Sequence, residues 1–186
     1  PLPNTEASLI GDVAYAHQIA GRNDLADQHY ALAMQKFKAL GRERSASAIA
    51  VQNNWAITSL NAGDFRQALT IYERLIETAR HQYGAKVPGF LLNNRARTLE
   101  LLGRYEDAMQ GFSEVAATAE PAQDINAKLF SIHGLASVSR ALGRLDAAEE
   151  HLAQAAAIKD GKLPAAHPVH VNHDLIAGRV ALSRGR

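Results

Sequence analysis

The sequence contains no cysteine, which removes disulfides, thiolate nucleophiles and cysteine-ligated zinc from its chemistry. Aromatic residues make up only 6% of the 186 positions, although 47% are apolar. A core short of aromatics and rich in alanine and leucine suits closely packed helices better than a sandwich or barrel. Charge of one sign is also missing: twenty Lys and Arg stand against nineteen Asp and Glu, a net charge of +1. That balance supplies no electrostatic reason to bind nucleic acid or an anionic membrane. No apolar run reaches the length of a membrane span, so no membrane insertion is expected, and Pro1-Leu2-Pro3-Asn4 is not a secretory signal. No segment alternates with period two, so no strands are expected. Glycine-rich phosphate loops and dinucleotide fingerprints are absent as well. The chain begins at Pro1 rather than Met, which predicts a processed or excised piece of something longer.

What the sequence has is a repeated cassette. Leu102-Gly103-Arg104-Tyr105-Glu106-Asp107-Ala108 is followed by Phe112 and Val115. Gly63-Asp64-Phe65-Arg66-Gln67-Ala68 precedes it, with Tyr72 and Leu75, and Gly143-Arg144-Leu145-Asp146-Ala147-Ala148 follows it, with Leu152 and Ala155. A weaker copy, Gly21-Arg22-Asn23-Asp24-Leu25-Ala26 with Tyr30 and Ala33, opens the chain. The four turn glycines are 42, 40 and 40 residues apart, and a fixed period of that size marks a stacked repeat protein. Each repeat reads as a helix ending at glycine, one residue of turn, and a second helix.

The pattern predicts nine helices. Asn4 or Thr5 can cap the first, which runs to Gly21; the second spans about 24–40, the third 45–62 and the fourth 64–83, ending at Gly84. Pro88, Pro121 and Pro168 stand where the fifth, seventh and ninth open, because proline is favoured in a first turn. The sixth and eighth start after Gly103 and Gly143. Seven residues before the glycines stand Ala14, Ala56, Ala96 and Ala136, with Gly178 in the same place before Gly185. Five residues after the first four glycines stand Ala26, Ala68, Ala108 and Ala148. Small residues in both columns let the two helices of a pair approach closely. Nine residues after the glycine, Tyr30, Tyr72, Phe112 or Leu152 fills the gap to the neighbouring pair. Each hairpin is too small to bury its own apolar face and must stack on the next. Helix nine is a first helix without its partner.

These residues resemble the tetratricopeptide repeat (TPR), over nearly the whole chain. The spacing is longer than the usual 34 residues and resembles the long-helix subclass found in kinesin light chains and bacterial signalling regulators. Asn53-Asn54, Asn93-Asn94 and His167-Pro168 resemble further features of that subclass, while Arg95 departs from its usual leucine. The resemblance implies an all-α, right-handed α-solenoid of antiparallel helix pairs, about four units plus a C-terminal capping or truncated helix. The units fall near 5–40, 45–84, 88–119 and 121–160, with a final helix at 168–184, in a single domain over 1–186.

Chemistry has few candidates. His167, His170 and His173 suggest a metal, but on a helix they spread over too wide an arc, and only Asp174 stands near as a further ligand. A helix-opening His-Pro followed by two surface histidines is the preferred reading, so no metal and no cofactor is expected. No nucleophile–base arrangement can be placed, and no catalytic residue is expected. Trp55 reads as packing between helices. The resemblance implies that the first helix of each unit lines a concave groove. Its groove columns fall on Asn53, Ile57, Asn93, Arg97, Glu100, His133, Ser137, Arg140 and Arg179. Asn amides both donate and accept, which suits holding an extended backbone, and arginines favour a carboxylate. Asn54 and Asn94 are expected to bond between units. The function so implied is a non-catalytic protein-interaction module that binds a peptide or partner helix in the groove. The alternative is a regulatory or sensory domain of a larger bacterial signalling protein, making intramolecular or peptide contacts. Self-association through the open C-terminal helix is a further expectation.

Overall fold

The structure, a computed structural model, describes residues 3–83, 87–119, 121–160, 162–164 and 166–185. Nine helices and no strand occur among them: α1 Pro3–Ile19, α2 Asn23–Ala39, α3 Ala46–Asn61, α4 Phe65–Tyr83, α5 Gly89–Leu101, α6 Tyr105–Thr118, α7 Pro121–Ala141, α8 Leu145–Lys159 and α9 Pro168–Ser183. The chain forms two compact units, Pro1–Leu91 and Leu92–Arg186. In the first, α1 packs on α2, α3 on α4, and α3 also touches α1 and α2. In the second, α7 packs on α6 and α8, and α9 rests on α7 and α8.

The turns explain the pairing. Gly21, Gly63, Gly103 and Gly143 all have φ between 72° and 81°, a left-handed conformation that costs glycine little. At Gly103 the N–H donates to the Glu100 carbonyl (3.0 Å), and the Arg104 N–H reaches back to the Leu99 carbonyl (2.9 Å). Two carbonyls left over at the end of α5 are thereby satisfied. The Arg104 carbonyl then accepts from the Ala108 N–H at 3.0 Å, so the residue that closes one helix opens the next. The same three bonds recur around Gly21, Gly63 and Gly143. Asp64 adds a side-chain cap, its Oδ1 accepting from the Gln67 N–H at 2.9 Å. The end of α4 expected at Gly84 lies outside the described residues.

Two helix starts differ from expectation. The first helix begins at Pro3, so Asn4 and Thr5 lie inside it instead of capping it. Proline carries no N–H to leave unsatisfied and can open a helix without a cap. In α7 the backbone is kinked at Asp124 (φ −147°, ψ 70°). The Asp124 carboxylate accepts from the Ala127 N–H at 2.9 Å, so the continuous part of α7 starts from an aspartate cap after Pro121. At α9 the expected His-Pro opening is present: Pro168 occupies the first turn, and His167 Nδ1 accepts from the Val169 N–H at 3.3 Å.

The small columns meet as their spacing requires. Ala14, Ala56, Ala96 and Ala136, and opposite them Ala26, Ala68, Ala108 and Ala148, are all fully buried. Tyr30, Tyr72, Phe112 and Leu152 are buried with them. Trp55 is half-buried against the first unit's core, and its Nε1–H donates to Asp27 Oδ1 at 2.6 Å. In the second unit the Phe112 ring sits so close to Gly134 that an added Cβ would lie 2.5 Å from its tip. Gly134→Ala is therefore expected to lower stability by about 1–3 kcal/mol through overpacking. In a Phe112→Leu background the same change should cost much less, as read by urea unfolding midpoints. Equal losses in both backgrounds would disprove this packing.

Candidate functional site

The second unit contains a groove of about 200 Å³. From α5 it takes Arg97 and Glu100, and from α7 Phe130, His133, Gly134 and Ser137. From α9 it takes Asn172, Leu175, Ile176 and Arg179, while Phe112 of α6 closes the floor beneath Gly134. Spacings of three and four residues place each set on one side of its helix. Glu100 stands at the centre of the polar wall. Its Oε2 accepts from Arg97 at 2.7 Å, and its Oε1 accepts from the Ser137 hydroxyl at 2.6 Å. Both oxygens of that mostly buried carboxylate are thus engaged. Arg179 is exposed and has no ion-pair partner among the described residues. Two guanidinium groups against one carboxylate leave the lining with one surplus positive charge.

Of the residues expected in a groove, the structure gathers Arg97, Glu100, His133, Ser137 and Arg179 here. Asn93 is buried instead, its Nδ2 donating to the Ala127 carbonyl at 2.9 Å. It bonds α5 to α7, the kind of link expected of Asn54 and Asn94. Arg140 is half-buried outside the lining, with its Nε enclosed and lacking a hydrogen-bond partner. Asn53 and Ile57 belong to the first unit and are half-buried; Asn53 Nδ2 donates to Asn54 Oδ1 at 3.4 Å. Phe112, Phe130, Gly134, Asn172, Leu175 and Ile176 were not anticipated as groove residues. Gly134 carried the one usable signal, because it replaces the asparagine that Asn54 and Asn94 supply at the equivalent place.

The histidines behave differently from the surface reading. His133, buried in α7, has both ring nitrogens engaged: Asn172 Nδ2 lies 3.2 Å from Nδ1, and His173 Nδ1 lies 3.2 Å from Nε2. With the amide donating to Nδ1, the proton sits on Nε2 and is donated to His173. His170 and His173 are half-buried, not free on the surface. Lys159 Nζ donates to Asp160 Oδ1 at 2.9 Å and approaches His170 Nδ1 at 3.4 Å. Among the described residues no group of three or more His, Asp or Glu side chains could hold a metal ion.

Burial, then the neighbouring His173 and Lys159, pushes His133 down to about 4 from its ordinary 6.5. His173 is lowered too, by burial first and then by Lys159, against the opposing charges of Asp174 and Asp160. Between pH 6.5 and 4 the unfolded chain binds more protons at these rings than the folded one. Stability therefore falls as pH drops through that window, by up to about 3 kcal/mol for His133. Urea midpoints measured from pH 7 to pH 4.5 should decline more steeply for the native chain than for His133→Leu. Parallel declines would show that His133 does not carry the effect.

Comparison with known proteins agrees with this architecture. Residues 131–168 match the tetratricopeptide repeat family model. No curated protein matches the chain. Among solved structures, a Podosopora anserina protein with nearly identical kinesin-light-chain TPR-like repeats superposes with a TM-score of 0.78 at 21% identity, over 98% of this chain and 88% of that one. BtubC (BKLC) from P. vanneervenii superposes with a TM-score of 0.75 at 21% identity, over 89% of this chain and 68% of its own. The apo form of RapI gives a TM-score of 0.82 at 12% identity, over 96% of this chain and 48% of RapI. At these identities the likeness is one of fold: the chain is an all-α solenoid of helix pairs like those tetratricopeptide-repeat structures, and residues 131–168 match the repeat's family model.

Proposed function

We propose that this chain is a non-catalytic protein-interaction module, and that its second unit takes a short peptide segment in the groove between α5, α7 and α9. The observation that carries this reading is the state of Glu100. With one oxygen held by Arg97 and the other by Ser137, it neither repels an incoming carboxylate nor needs one to replace water. Arg179 at the rim remains free to pair with such a group. Below the rim, the exposed Phe130 and Leu175, backed by the buried Phe112 and Ile176, offer an apolar surface on which one large side chain of the peptide would lose contact with water. The preferred ligand is thus a segment that carries an apolar anchor next to an acidic residue. Asn172, at the groove edge, keeps its amide occupied with His133, which makes α9 a fixed wall and limits the ordering cost of binding.

The test is selection of peptides from a random displayed library on the native chain, followed by anisotropy titration of the enriched sequences. The expected winners combine an aromatic or large aliphatic residue with Asp or Glu. Arg179→Glu and Phe130→Ala should each weaken them about tenfold or more, or roughly 1.4 kcal/mol, with helicity unchanged. Enriched peptides that bind both variants as tightly as the native chain would remove the groove from the proposal.

A further inference from the structure

The residue three before each turn glycine gives the repeat an internal standard for its polar side. In α1 that residue is Gln18, and its Oε1 accepts from the Tyr30 hydroxyl at 2.8 Å. In α5 it is Glu100, whose two oxygens are taken by Arg97 and Ser137. In α3 it is Leu60, which has no polar side-chain atom to satisfy. In α7 it is Arg140, and there the pattern fails. Its Nε is enclosed without a hydrogen-bond partner, and the side chain has no ion-pair partner among the described residues. The groups that answer this position elsewhere are missing. Leu152, with no oxygen, stands where Tyr30 answers Gln18, nine residues after the glycine. The place of Ser137, six residues before the next glycine, is held by Arg179. Register brings the two arginines together. Glu100 bonds Ser137, three before one glycine to six before the next, and Asn172 bonds His133 across the same offset, thirteen to ten. That offset sets Arg140 beside Arg179. Carboxylates that could separate them are engaged: Glu100 as above, and Asp146 and Glu149 with Arg184.

We infer that Arg140 and Arg179 form a site for one oxyanion, the acidic group of a segment bound in the groove. The inference rests on the peptide reading for the source of that group, and on the two arginines alone for the site. Two guanidinium groups with no carboxylate between them repel each other, and a half-buried cation without a counter-ion is costly. An oxyanion between them removes both penalties, because each planar fork can donate paired N–H bonds to its oxygens. The enclosed Nε holds the end of the Arg140 side chain in place, so little freedom remains to be lost on binding. Arg140 lies three residues beyond Ser137 on the same side of α7, which puts the pair at the end of the groove's polar wall. A carboxylate and a phosphate monoester share the chemistry that such a pair accepts. The phosphate, close to two negative charges at neutral pH, matches it charge for charge.

The experiment follows the Arg140 Nε–H signal of the native chain by nuclear magnetic resonance while inorganic phosphate is added at constant ionic strength, with chloride as the control. An enclosed N–H is protected from exchange with water, which keeps this signal visible. Phosphate should shift it saturably and chloride should not, and Arg179→Gln should weaken the phosphate binding at least fivefold. Arg140→Met keeps the stem and removes the charge. In chloride it should raise the unfolding midpoint by about 1–3 °C, because an enclosed polar group without a partner is gone; a structural role for Arg140 predicts a lower midpoint instead. Peptides enriched on the native chain, made with glutamate or phosphoserine at their acidic position, identify the source of the oxyanion. A loss of tenfold or more on Arg140→Met for the glutamate form assigns a carboxylate, and a loss for the phosphoserine form alone assigns a phosphate. No saturable shift with phosphate, an equal shift with chloride, a lower midpoint for Arg140→Met, or peptides that lose nothing on that change would each overturn the inference. If no peptide is enriched, the groove reading falls, and the phosphate titration still decides this site.

Discussion

The structure depends on a reversal of direction completed in two residues. A left-handed glycine and the residue after it satisfy the end of one helix and the beginning of the next with three backbone bonds. Because the turn has no slack, it fixes the register of the paired helices as well as their direction. Seven residues back and five residues forward from each glycine are then forced to meet, and only small side chains fit where they do. This is why alanine occupies both positions in all four complete pairs and why every one of them is fully buried. A longer loop would let the helices slide, and those alanines would have no fixed partner. The packing between pairs inherits the same register, so Phe112 arrives where α7 has Gly134 rather than a side chain.

Features dictated by that turn were legible in the sequence, and features dictated by local competition were not. Helix ends at Gly21, Gly63, Gly103 and Gly143 follow from a residue whose conformational freedom is unique. Helix starts do not have such a marker. Near Pro121 the sequence offers both a proline and Asp124, and the aspartate takes the capping role because its carboxylate reaches the Ala127 N–H. At the N-terminus Pro3 opens α1 ahead of the two residues that looked like caps. The groove follows the same division. Counting back from the glycine brings Arg97, Glu100, His133, Ser137 and Arg179 to one place because the columns share a register. Counting cannot say how deep a column lies. Asn93 and His133 occupy equivalent positions, yet Asn93 is consumed by the Ala127 carbonyl, whereas His133 also reaches the groove beside Gly134. The size of the neighbouring side chain decides this, and that information is carried by another helix.

The three histidines of α9 illustrate the point in chemistry. Their spacing invites a single shared function, but each has its own partner: the Val169 N–H for His167, Lys159 for His170 and His133 for His173. Three residues along a helix rotate the side chain by about 60° backwards, enough to face a different neighbour each time. The backbone of α9's own first turn engages His167, while α8 and α7 present the partners of His170 and His173, so one motif becomes three unrelated contacts in the fold.

Helix α9 must then meet different demands on each side. Ile176 and Val180 bury it against α7 and α8. Asn172, Leu175 and Arg179 form a wall of the groove. Val171, Gly178 and Leu182 face outward. A helix with one solvated face would put polar residues there; α9 instead carries apolar or small residues around most of its circumference, the pattern of a helix enclosed by neighbours. The buried bond between His133 and His173 acquires its importance from this arrangement. With the Asn172 amide it helps to hold the helix that forms one wall of the groove, so a proton added at His133 weakens one of the contacts that dock that wall.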